Sequence, residues 1–247
     1  MRVLAIVLSG FVLIGCTKKE RTAPVVTASK HRLLEPLAEA MDMDPADDIV
    51  WVKLNAVKRD SDTENVLYSY NGLTPGPVIR GKVGDRLLVD FNNQLDAPTT
   101  IHWHGIKVPF AMDGVTWMSQ PIAAGDRFRY TFTLPHAGTY WYHPHFNTAR
   151  QVDGGLYGVL IIEDPNDPKP DDELILVFDT VKEFDAVTHI LPDGLEGRTG
   201  HGHGRLRPRW LINGREAPVT YRARGGTTVR VRMVNVSNAG YLNLEWP

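Results

Sequence analysis

The sequence predicts an all-β protein whose strands stack as a sandwich. Three features point there: short runs rich in Val, Ile, Thr and Tyr, 22 glycines and 17 prolines scattered between those runs, and few candidates for a long amphipathic helix. The first strong strand is Ile49–Val57, followed by Asn65–Tyr70, Arg86–Asn92, Thr99–Trp103, Arg127–Thr133, Thr139–His143 and Leu156–Ile162. Turn-forming residues separate them at Asn71-Gly72, Pro75-Gly76, Gly81 to Asp85, Gly125-Asp126 and Gly154-Gly155. Many short strands at this spacing close into a sandwich or barrel.

The run from Asp164 to Asp172 is charged, carries Pro165, Pro168 and Pro170, and cannot continue a central strand. The first domain is therefore expected over 46–165, with a linker at 166–172. A second set of strands follows at Glu173–Asp179, Trp210–Asn213, Tyr221–Ala223 and Thr227–Val236, with a loop containing His201 and His203 among glycines. The stretch 173–247 is shorter than the roughly 100 residues of a complete sandwich, so an incomplete second domain, and hence a piece of a longer protein, is expected.

Met1-Arg2 followed by the apolar run Val3–Ile14 reads as a secretory signal, because the run is too short for the ~20 residues that span a bilayer. Its end, Leu13-Ile14-Gly15-Cys16, resembles a bacterial lipobox. That resemblance implies cleavage after residue 15, lipidation of Cys16, and an exported protein anchored in the periplasm or cell envelope of a bacterium. A membrane is then met only through the lipid. Residues 16–45 are polar and mixed in charge, and read as a tether with one helical turn around Leu33 to Met41. Cys16 is the single cysteine, which rules out an intrachain disulfide. Lys and Arg total 27 against 29 Asp and Glu, with no basic stripe, so nucleic acid is not an expected partner.

The residues that carry chemistry are His102-Trp103-His104 and His143-Pro144-His145. Alternate side chains of a strand share a face, so each pair acts as a two-toothed ligand. On neighbouring strands, opposite positions are ~5 Å apart, which would gather four imidazoles into one patch. Pro144 cannot donate to a ladder and places the second pair at a strand end or edge. One His-x-His pair is more often surface or packing than ligand, whereas two in one domain point to metal. Imidazole suits copper, zinc, iron and nickel alike.

The segments Thr100–Ile106, Met112–Val115, Gln120–Ile122, Gly138–His145 and Gly154–Ile162 together resemble the multicopper oxidase family, in order and in spacing. The resemblance implies a cupredoxin-like Greek-key β-sandwich followed by a partial second cupredoxin-like domain, the latter recognisable in Leu211–Gly214 and Arg232–Asn238. It also implies copper: His102 would bind the type 2 ion, and His104, His143 and His145 the type 3 pair of a trinuclear cluster. Asp113 matches an acid that assists proton delivery during oxygen reduction, although a lone Asp before Gly is otherwise a turn former. The implied partners of the complete protein are dioxygen and a small reducing substrate or cuprous ion.

A blue type 1 copper centre needs a cysteine thiolate, and Cys16 is consumed in the signal region. The chain alone is therefore expected to hold half of the trinuclear ligands and to be inactive. A non-catalytic copper-binding or assembly module is the alternative. A zinc hydrolase of the barrel type needs alternating strands and helices that are missing here. His201 and His203 fit a solvated glycine loop, His136 a turn, and Met112 and Met118 packing. His31 and His189 fall in no pattern.

Overall fold

A computed structural model describes residues 32–59, 68–117, 119–181, 209–238 and 240–245. The strands are β1 (Arg32–Leu33), β2 (Ile49–Lys58), β3 (Tyr68–Tyr70), β4 (Ile79–Lys82), β5 (Arg86–Gln94), β6 (His102–His104), β7 (Arg127–Thr133), β8 (Gly138–His143), β9 (Gly158–Glu163), β10 (Asp172–Val181), β11 (Arg209–Ile212), β12 (Arg215–Glu216), β13 (Val219–Thr220) and β14 (Val229–Asn235). A 3-10 turn at Phe110–Met112 and one short helix, α1 (Thr148–Asp153), complete the described elements. The fold is all-β, as the strand pattern predicts. Among the described residues no helix is long and apolar enough to cross a membrane.

Two four-stranded sheets, ordered β3-β2-β5-β7 and β4-β9-β8-β6, form the first sandwich. Strand β2 alternates in burial because its period-two pattern sends Val50, Val52, Leu54 and Ala56 inward. These meet Leu87, Val89 and Phe91 of β5, and Trp103, Tyr142, Leu160 and Ile162 of the facing sheet, in one core. Trp51, on the outer side of β2, donates from Nε1 to Asp90 at 2.9 Å, and Arg129 grips the same carboxylate at 2.6 Å. The polar residues of that face are thus paired with one another in the cross-strand positions the register gives them.

Strand β9 departs from alternation: Gly158 to Ile162 are buried without interruption. The cause is a third layer. The sheet β12-β11-β10-β14 stacks on the outside of the second, and Val159 and Ile161 pack with Val177, Val234 and Val236. On the far side of β10, Leu174, Leu176 and Phe178 form a separate cluster with Ile212 and Val219.

Arg80 on β4 ties these layers with bonds to Glu163 at 2.8 Å, Glu173 at 2.8 Å and Glu39 at 3.0 Å. Arg232 on β14 donates to Glu173 at 2.6 Å and to Thr139 Oγ1 at 2.9 Å. Burial raises the Glu173 carboxyl, but the bonds from Arg232 and Arg80 outweigh it and hold its pKa below the usual value. A carboxylate with a depressed folded pKa stabilises the fold above its unfolded value and loses that contribution as pH falls through the folded value. Glu173 and its two arginines are partly buried, and a hydrogen bond to a charged group contributes about 1.5–3 kcal/mol. Glu173→Gln should therefore destabilise the chain at pH 7, and urea melts should show the gap to wild type narrowing as the pH is lowered through the acid range.

Two sequence expectations are corrected here. Residues 32–45 are not a free polar tether and form no helical turn: β1 pairs in parallel with β13, and Glu39 bridges Val78. Leu34 packs into the third cluster and Leu37 into the second, so apolar residues spaced by three anchor an extended strap rather than one helix face. Tyr221–Ala223 is not a strand; the pairing falls just before it, at Val219–Thr220. The expected signal region through Cys16, and residues 17–31, 65–67, 246 and 247, lie outside the described residues.

Candidate metal centre

The two histidine pairs are brought together by strand register. β6 and β8 run antiparallel with His102 opposite His143, Trp103 opposite Tyr142 and His104 opposite Trp141. Trp103 and Tyr142 face the core, which turns His102, His104 and His143 to the other side of the sheet. β8 ends at His143, just before Pro144, as the missing amide of proline requires. His145 therefore sits beyond the ladder.

All four imidazoles converge. Ring centroids lie 4.3 Å apart for His102 and His145, 5.3 Å for His102 and His143, 5.7 Å for His102 and His104, and 5.5 Å for His143 and His145. One ring nitrogen from each of His102, His143 and His145 lies within 4.8 Å of the others. His104 joins through Nδ1, which faces His143 Nε2 at 3.2 Å.

Two further ring nitrogens are held by the protein. His102 Nδ1 meets the Asp113 carbonyl oxygen at 3.0 Å and Asp113 Oδ1 at 3.1 Å. His143 Nδ1 donates to the Pro144 carbonyl at 3.0 Å. Such partners fix ring orientation and leave the opposite nitrogen, Nε2, for a ligand. Burial lowers the pKa of His143 to about 3, with the neighbouring imidazoles adding to it against the Pro144 bond. Burial also lowers His104 and His145, reinforced in both by His102. Neutral rings keep the lone pairs that a metal needs.

This donor set fits a transition metal: it is nitrogen-only and includes two ring nitrogens turned directly toward each other. Asp113, expected as an acid near the cluster, is the C-cap of the 3-10 turn and touches His102. Met112 packs against the core and accepts the Thr131 amide at Sδ, as a packing residue would. His136 pairs with Tyr140 at a turn. His31, His189, His201, His203 and Met118 lie outside the described residues.

Two neighbours escaped the sequence reading. Trp141 stacks on His143 at 4.0 Å with an interplanar angle of 21°, walling the site from the side of the third layer. Thr100 Oγ1 accepts the His145 amide at 2.9 Å. Thr100 lies inside a recognisable motif, but its own partner is 45 residues away and leaves no local signal.

A sandwich with paired His-x-His strands facing one another defines a β-sandwich metal-binding protein. The chain belongs to the multicopper oxidase family, whose sequence model matches residues 52–167. It is similar to "Multicopper oxidase MmcO" of Mycobacterium tuberculosis, with 33% identity over 193 residues covering 68% of this chain and 38% of that protein. It is also similar to "Copper resistance protein A" of Pseudomonas syringae pv. tomato, with 42% identity over 121 residues, 48% of this chain and 20% of the relative. Among solved structures, a multicopper oxidase from Pseudomonas thermotolerans superposes with a TM-score of 0.63 at 30% identity, covering 79% of this chain and 48% of that one. The chain thus spans well under half the length of these curated relatives. Copper is the metal that family membership implies, and the histidine cluster fits it.

Proposed function

We propose that His102, His104, His143 and His145 are copper ligands and supply half of a trinuclear centre, the other ligands coming from outside this chain. In the complete protein that centre would couple one-electron oxidation of a reducing substrate to four-electron reduction of dioxygen to water. The observation that carries this reading is the register of His102 against His143, which aims two histidine pairs at one patch. Copper bound there would supply the electron transfer. The protein's part is to hold the four rings in place, with Trp103 and Tyr142 locked in the core behind them. Asp113, partly exposed and against His102, is placed to hold that ring and to pass protons toward the centre.

The reductant in the complete protein would be a small organic substrate or cuprous ion. Export with a lipid on Cys16 is part of the same proposal and rests on the Leu13–Cys16 motif. A second reading is a copper-binding module without turnover, which the same facing histidine pairs would also serve. Oxygen uptake by the complete protein with a reductant separates the two.

The experiment is copper retention by the full chain after loading and gel filtration. Wild type should hold copper weakly, His104→Ala with His145→Ala should hold none, and neither should show the intense visible band of a cysteine-ligated copper. A double variant retaining the wild-type copper content would sink the ligand assignment.

A further inference from the structure

His145 lies past the end of β8, so no ladder hydrogen bond fixes it, yet its ring makes the closest imidazole pair of the site, 4.3 Å from His102. Three connections hold this part of the backbone. The His145 amide donates to Thr100 Oγ1 at 2.9 Å. The chain then turns through Asn147, at φ 44°, into α1, which carries the buried Gln151. Gln151, 3% exposed, returns to the segment that leads into β6: its Oε1 accepts from Thr99 Oγ1 at 2.7 Å and its Nε2 donates to the Pro98 carbonyl at 2.9 Å. Thr99 is in turn clamped to Ile122 by two backbone bonds, of 3.0 and 2.9 Å.

We propose that Thr100 and Gln151 are positioning residues for the metal centre, stitching residues 98–100 to residues 145–151 and thereby setting the separation of His102 and His145. The inference rests on the copper reading above. A buried glutamine that merely satisfied itself in the core would have no need to join the two segments that carry opposite histidine pairs. Here its amide uses both ends, one for a side chain and one for a carbonyl, on the approach to His102. A buried polar network of this kind rigidifies what it connects, and groups that orient metal ligands typically carry about 10–100-fold of metal affinity. α1 also touches the third layer through Asn238, which donates to the Ala149 carbonyl at 3.0 Å, so the same stitch is braced from behind.

The test uses the full chain with Thr100→Val, Thr100→Ser and Gln151→Leu, read in two ways. Without metal, hydrogen exchange at the His145 amide should quicken about tenfold or more in Thr100→Val and Gln151→Leu and stay near wild type in Thr100→Ser, which keeps the acceptor. With copper, chelator competition should show affinity falling about tenfold in the first two and being retained in the serine variant. Thr100→Val removes a single bond and preserves shape, so it remains informative if Gln151→Leu fails to fold. Wild-type exchange and affinity in Thr100→Val, with His145→Ala weakened, would overturn this inference and leave the copper site standing. A wild-type chain that takes up no copper would overturn both.

Discussion

Gly114→Ala should cost about 2–5 kcal/mol of stability and weaken metal binding in the protein that still folds. Gly114 has φ +65°, in the left-handed region, where a β-carbon costs about 1 kcal/mol. The larger effect is steric. A Cβ at this position would lie 2.0 Å from the Ile101 carbonyl oxygen, 2.6 Å from its carbon and 3.1 Å from the His102 amide. These are all backbone atoms and cannot swing aside, so either the loop after the 3-10 turn or the start of β6 must move. Both hold the site, since Asp113 precedes Gly114 and His102 opens the strand. The control is Gly72→Ala, also left-handed at φ +78° but with nothing within 4 Å of the new carbon. It should lose only the backbone share, about 1 kcal/mol. Urea melts of the two variants and copper titration of the folded Gly114→Ala measure the steric and the site effect separately.

Trp103→Ala should lose about 3–5 kcal/mol, the range for deleting a large buried aromatic. Trp103 is fully buried between His102 and His104 in sequence, and packs edge-on against Phe132 at 5.1 Å and Tyr130 at 5.7 Å, and tilted against Tyr142 at 5.9 Å. Its Nε1 finds no acceptor among the described residues. Trp103→Phe should therefore be much milder, about 1–2 kcal/mol, because the smaller ring also removes a buried donor without a partner. A urea midpoint for Trp103→Phe as low as that of Trp103→Ala would contradict the packing account. The alanine variant should bind copper more weakly as well, since the wedge that turns His102 and His104 outward is gone.

The convergence of the four histidines was legible in the sequence because parity is local. His102-Trp103-His104 and Pro144 each announce their geometry within three residues, and the pairing of β6 with β8 then follows from the sandwich. Strand β4 was not legible, because Gly81 reads as turn punctuation. In the fold it lies within the strand for a different reason: a Cβ there would come within 2.6 Å of Leu134 Cδ1 and 3.1 Å of Val50 Cγ2, so the glycine serves close packing. Helix α1 is six polar and mixed residues ahead of two glycines, with no apolar period to reveal it. The strap at residues 32–45 was hidden because Leu34 and Leu37 are buried in different clusters, and no single face exposes their purpose. Trp141 on His143, and Gln151 beneath Thr99, depend on contacts that only the folded sheet supplies.

The central claim is that the four histidines of β6 and the end of β8 form one copper site. The most direct measurement is an anomalous difference map, recorded at the copper edge, from crystals of the copper-loaded chain. The account predicts density bounded by His102, His104, His143 and His145, reached by Nε2 of His102 and His143 and by the Nδ1 of His104 that faces His143. Copper density elsewhere on the chain, with these four rings still in contact with one another and no peak between them, would contradict it.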